Sequence, residues 1–241
     1  MTVDRATLIE RGVHVASAVL ALLFTLVIAG LLTELATSLA LRSGVVAEDT
    51  NAFTLLRTVV SFAGFLPGVV GYLAITDQRT LVSISQPSVR EIGIVAVAAI
   101  VLYGIQIALL FALQALGLGT GRNSATVAAG DPVAYYAAMI AVSILLVGPA
   151  EELLLRGVVQ GGLRRSFDAA PAILIAAVLF GALHGNVDGT LTEQVAYMGV
   201  TVILGSLLGL LYERTENVLV PGLAHGLYNA IIFAGLLGGA L

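Results

Sequence analysis

"PVAYYAAMIAVSILLVGPA", residues 132–150, contains no Asp, Glu, Lys or Arg and is followed at once by "EELLLR", residues 151–156. Roughly 20 apolar residues are what a helix needs to cross the hydrocarbon layer of a bilayer. With no water available there, the backbone must satisfy its own N–H and C=O groups, so such a run is expected to be helical. Six further runs of at least 19 residues lack those four residue types: 12–33, 58–76, 92–121, 169–187, 194–212 and 217–241. The expected fold is therefore all-α, a polytopic transmembrane helical bundle of seven or eight spanning helices. The eighth is allowed because 92–121 is long for one span and the C-terminal half has room for another. The chain 1–241 reads as one integral-membrane domain. Its helices within 1–131 carry no diagnostic groups, and 132–241 carries the chemistry.

Composition supports lipid as the solvent. Hydrophobic residues make up 59%, charged residues 11%, and mean hydropathy is +1.02. A soluble domain carries about 25% charge. The net charge of −4 offers no basic patch, so nucleic acid is not an expected partner. The absence of cysteine removes disulfides, thiolate nucleophiles and Cys-ligated zinc together. The first run is too long for a signal-peptide core and lacks a clear cleavage site, so it reads as a retained helix. The connections 42–52, 77–91 and 117–131 read as polar linkers, with no internal repeat.

All 11 cations are arginine. With the N-terminus inside, Arg5, Arg11, Arg79, Arg90, Arg164, Arg165 and Arg214 fall on the cytoplasmic side, against Arg42, Arg57 and Arg122 outside. That imbalance predicts a cell-membrane protein with a cytoplasmic N-terminus.

Ionisable groups inside spans are expensive and usually functional. Few occur: Glu151, Glu152 and Arg156 at the end of the fourth run, His184 in the fifth and His225 in the last. Positions four apart share a helix face. Glu152 and Arg156 can therefore pair, Phe180 sits one turn before His184, and His225 and Asn229 lie on one face. Glu151 lies about 100° round from Glu152, so one can pair while the other faces a cavity. If the fourth helix runs to Arg165 and the fifth opens near Pro171, Glu151 and His184 both lie about 20 Å from the turn and stand level. By the same reckoning His225 is shallower. Each motif alone has an ordinary explanation: an interfacial ion pair, a core histidine, an inter-helix hydrogen bond. The three together point to chemistry. His14 and Glu34 read as interfacial, and Gly199, Gly205 and Gly209 as helix-contact positions.

Carboxylate, imidazole and carboxamide suffice for peptide hydrolysis: a base for water, a group to orient it, and donors for an oxyanion. Two histidines and a glutamate could equally hold a metal such as zinc. Other intramembrane protease patterns are absent, with no H-E-x-x-H, no G-x-G-D pair and no G-x-S-G elbow.

"EELLLR" (151–156), "FGALH" (180–184) and "HGLYN" (225–229) match E-E-x-x-x-R, F-x-x-x-H and H-x-x-x-N in order. Over roughly 133–235 the chain resembles the CPBP family, the CAAX proteases and bacteriocin-processing enzymes also called the abortive-infection family. The resemblance implies an intramembrane endopeptidase, often labelled a metalloprotease, in which Glu151 is general base, His184 positions water, and His225 and Asn229 stabilise the oxyanion. Glu152, Arg156 and Phe180 would support them. It implies a membrane-associated protein or peptide substrate, prenylated or not. A divalent metal on Glu151, His184 and His225 and a metal-free glutamate mechanism both stay open. The alternative is a non-catalytic membrane immunity or chaperone-like protein of the same fold.

Overall fold

The computed structural model describes residues 4–185 and 187–239. Eight helices account for most of them: α1 (Arg5–Arg42), α2 (Asn51–Ala63), α3 (Phe65–Ile75), α4 (Val89–Ala115), α5 (Pro132–Leu163), α6 (Ala169–Leu183), α7 (Leu191–Thr215) and α8 (Leu219–Gly238). There is no strand among the described residues. The seven apolar runs each become one helical pass, because α2 and α3 share a single run. Six passes are long and apolar enough to cross a membrane, and no eighth pass is found among the described residues.

Local chemistry sets the boundaries. Asp4 caps α1 by accepting from the Ala6 and Thr7 amides. Ser88 with Glu91, and Thr190 with Glu193, form capping boxes that open α4 and α7. Asp131 caps α5, whose first residue is Pro132, a position where the missing N–H costs nothing. The α2–α3 break falls at Gly64, three residues before Pro67, whose ring excludes the Ala63 carbonyl from a regular helix. α6 is 15 residues, about 22 Å, which is short of the roughly 30 Å hydrocarbon layer.

α5 is not regular. Two π-helical stretches, Ser143–Val147 and Leu153–Gln160, bracket the α-helical segment Gly148–Glu152. Pro149 accounts for the first: its ring would clash with the Leu145 carbonyl, and widening the turn relieves that.

The bundle is built inside out relative to a soluble protein. Leu20, Leu31, Val70, Ile100, Phe111, Leu145 and Leu174 are exposed towards lipid, while Thr25, Glu151, Glu152, Arg156, Gln160, Asn217 and His225 are buried. α1 packs on α2, α3 and α5; α6 lies along α7; α8 crosses α4 and α5. Connections sort into two sets. At one end Asn51 bonds to the backbone of Ala129 and Asp131, and Arg122 exchanges backbone hydrogen bonds with Asp188. At the other end Arg11 bonds to the Ser166 carbonyl, and Asn217 bonds to Ser85. Alternate connections meet at alternate ends, as successive crossings require.

Candidate active site

The site forms where α8 crosses α5. Glycines let the two backbones touch: a Cβ on Gly148 would overlap the Gly222 carbonyl and the Gly226 amide, and one on Gly226 would lie 2.5 Å from the Ser143 carbonyl oxygen. This close crossing sets His225 against both glutamates and removes the depth difference that loop lengths suggest.

Glu152 and Arg156 are fully buried and paired, with Arg156 Nε donating to Glu152 Oε2 at 2.6 Å. The other carboxylate oxygen, Oε1, accepts from His225 Nδ1 at 3.1 Å. His225 Nε2 lies 3.6 Å from Glu151 Oε2. The imidazole of His225 thus sits between two carboxylates, with Glu152 fixing which nitrogen bears the inner proton. Phe180 packs against three of the polar groups around it. Its ring lies 5.7 Å from Arg156 Cζ, meets His184 edge-on at 4.4 Å and stands perpendicular to His225 at 5.8 Å.

His184 is placed differently from the sequence reading. α6 ends at Leu183, and His184 is the residue that closes the helix, outside its regular turns. Its Nδ1 donates to the Phe180 carbonyl at 2.9 Å, because a carbonyl can only accept. In the neutral imidazole the lone pair is then on Nε2. The α5–α6 turn begins slightly earlier than expected: α5 ends at Leu163, and α6 starts at Ala169, with Pro171 in its first turn.

Glu151, Phe180, His184, His225 and Asn229 all line one cavity of about 390 Å³, whereas Glu152 and Arg156 lie behind its wall. The structure therefore gathers the five residues and separates the two carboxylates by environment. Sequence reasoning missed other parts of the lining. Arg122 and Asn123 come from the 116–131 connection, which the sequence reading treated as a linker, and Tyr197, Thr201 and Tyr228 come from α7 and α8. One signal was available: connections longer than about 12–15 residues are often functional. Gly121, Tyr135 and Tyr136 dock that connection. Gly121 packs on Val187 and Asp188, and the two tyrosine hydroxyls donate to the Ala125 and Thr126 carbonyls at 2.9 and 3.2 Å.

A metal on Glu151, His184 and His225 does not fit this geometry. Among the described residues no group of three His, Cys, Asp or Glu side chains is gathered closely enough to hold an ion.

Comparison with known proteins follows the same residues. Residues 133–231 match the family described as Rce1-like, type II CAAX prenyl endopeptidase Rce1-like. "Uncharacterized protein YpbD" of Bacillus subtilis is 37% identical over 36% of this chain, and the match spans 40% of that protein's length. "Putative membrane peptidase YdiL" of Bacillus subtilis is 27% identical over 73% of this chain and 70% of its own length. No solved structure gives a significant match. All three motifs lie inside the family match, and through residues 133–231 this membrane protein is similar to the Rce1-like family of type II CAAX prenyl endopeptidases.

Proposed function

We propose that the protein is an intramembrane endopeptidase of the CAAX-protease type that uses water activated by Glu151. One observation carries the reading: Glu151, His184, His225 and Asn229 converge on one cavity, while Glu152 is buried behind it and holds His225. A water between Glu151 and His184 Nε2 would meet a base on one side and an orienting group on the other. Glu151 takes the proton as oxygen attacks the scissile carbonyl carbon. His225, when protonated on both ring nitrogens, donates from Nε2 to the oxyanion that forms, and the Asn229 carboxamide donates beside it. The tetrahedral intermediate collapses, the C–N bond breaks, and Glu151 returns its proton to the departing amine. No step passes through a metal.

The substrate class follows from the setting. A cavity inside a lipid-facing bundle suits a membrane-associated protein or peptide, prenylated or not, in the cell membrane. The seven-to-three distribution of arginines supports a cytoplasmic N-terminus.

The test is cleavage of a lipidated reporter peptide in proteoliposomes by wild type and Glu151→Gln, each with and without a chelator. The expected result is a loss of at least about 100-fold in Glu151→Gln, with wild-type activity unaffected by the chelator. Equal activity in the two proteins would overturn the reading. Loss with chelator and recovery with zinc would reinstate the metal.

A further inference from the structure

Behind the cavity wall the polar groups continue towards the opposite end of α5. After Glu152 and Arg156 comes Gln160, also fully buried, whose Nε2 donates to the Gly209 carbonyl at 3.1 Å and to Glu213 Oε1 at 2.9 Å. Glu213 Oε2 in turn accepts from Arg164 Nε at 3.1 Å, where the column reaches the surface. The Gln160 amide cannot be turned round, because its oxygen would then face two acceptors.

Three atoms in this column have no protein partner among the described residues: Arg156 Nη1, Arg156 Nη2 and Gln160 Oε1, all deeply buried. Leaving a buried polar group unmatched is costly, most of all on a charged side chain. The orphans face one strip of α7. A Cβ on Gly205 would lie 3.6 Å from Arg156 Nη2, and one on Gly209 would lie 2.8 Å from Gln160 Oε1. Those glycines are one turn apart on α7, so the two orphaned groups look onto the same side-chain-free strip. The Phe180 ring faces Arg156 Cζ, but it satisfies none of the in-plane N–H groups.

We propose that Arg156 and Gln160 together hold a buried water molecule, and that Gln160 is a positioning residue for the candidate site. The water accepts from an Arg156 Nη and donates to Gln160 Oε1, which meets the two or more polar partners that a buried water needs. Arg156 is then anchored at both ends of its guanidinium, by Glu152 at Nε and by the water at Nη. Glu152 in turn fixes His225. The catalytic consequence rests on the proposed protease function; the water site does not.

Two measurements test it on the full-length protein. The first is a structure at a resolution that shows ordered solvent. A peak within hydrogen-bond distance of Gln160 Oε1 and an Arg156 Nη is expected, and direct contact between the two side chains would overturn the site. The second is proteoliposome cleavage by Gln160→Met, which keeps side-chain volume and removes the amide, and by Gly209→Ala, which presses on Gln160 Oε1 from α7. Both should lower kcat about tenfold and leave KM within about twofold, in protein that elutes and melts as a folded species. Unchanged kcat in folded Gln160→Met would overturn the positioning role. Absence of cleavage by wild type would overturn the protease reading instead, and the solvent peak would still decide the water.

Discussion

At the scale of single residues, the fully buried Glu152–Arg156 pair matters most for stability. Two charges removed from water are tolerable only while each has its partner. Arg156→Leu leaves the Glu152 carboxylate with His225 alone and is expected to destabilise the protein by about 3–5 kcal/mol, measured as thermal unfolding in detergent. Glu152→Met combined with Arg156→Met removes both charges and the acceptor for His225 Nδ1. It should melt above the single Arg156→Leu variant while failing to orient His225, so stability returns and cleavage does not. Glu151 is the contrasting case. It lines the cavity, and its one ion-pair approach among the described residues is the 3.6 Å to His225 Nε2. The sequence already allowed this division, because adjacent helical positions point about 100° apart. The four-residue spacing to Arg156 already marks Glu152 as the residue able to pair, but only the packing shows that its second oxygen also holds His225.

At the scale of elements, the decisive feature is the α5–α8 crossing. Glycine at 148, 222 and 226 removes the side-chain layer that would otherwise hold two helices 8–10 Å apart. Gly226→Ala places its Cβ 2.5 Å from the Ser143 carbonyl oxygen and 2.8 Å from Ile144 Cα, both backbone atoms that cannot rotate away. Overpacking of this kind costs about 1–3 kcal/mol. The variant should melt lower and lose activity together as His225 is pushed from the glutamates. Gly235→Ala, on the same helix with open space around it, is the control and should change stability by less than about 1 kcal/mol. The sequence reading of Gly205 and Gly209 as contact positions matches their place against Phe180, Ala177 and Gln160, whereas Gly199 faces open space. Periodicity says that a glycine lies on a face, and only packing says what that face meets. The ending of α6 at Leu183 is a similar case. The run 169–187 has no charge to stop it, so composition extended the helix past His184.

At the scale of the whole molecule, the alternation of connections fixes which loops share a side. Arginine counting then predicts which side is cytoplasmic. The chain has no cysteine, so single cysteines report sidedness cleanly. Val45→Cys, in the exposed α1–α2 connection, should react with a membrane-impermeant maleimide from outside intact cells; Thr80→Cys, between α3 and α4, should react only after lysis. The reverse pattern would invert the orientation and leave the fold intact. The sequence by itself determined the all-α membrane class, a count of seven or eight apolar passes and the identity of the charged groups inside them. These follow from composition and local periodicity, since an uncharged run of 19 or more residues has few alternatives in lipid. The tertiary structure decided that His225 lies between Glu151 and Glu152, that the 116–131 connection lines the cavity, and that Arg156 and Gln160 face the glycine strip of α7. Those facts depend on how helices far apart in the chain cross and how a loop folds back over them, and no local pattern encodes the distance between two helices.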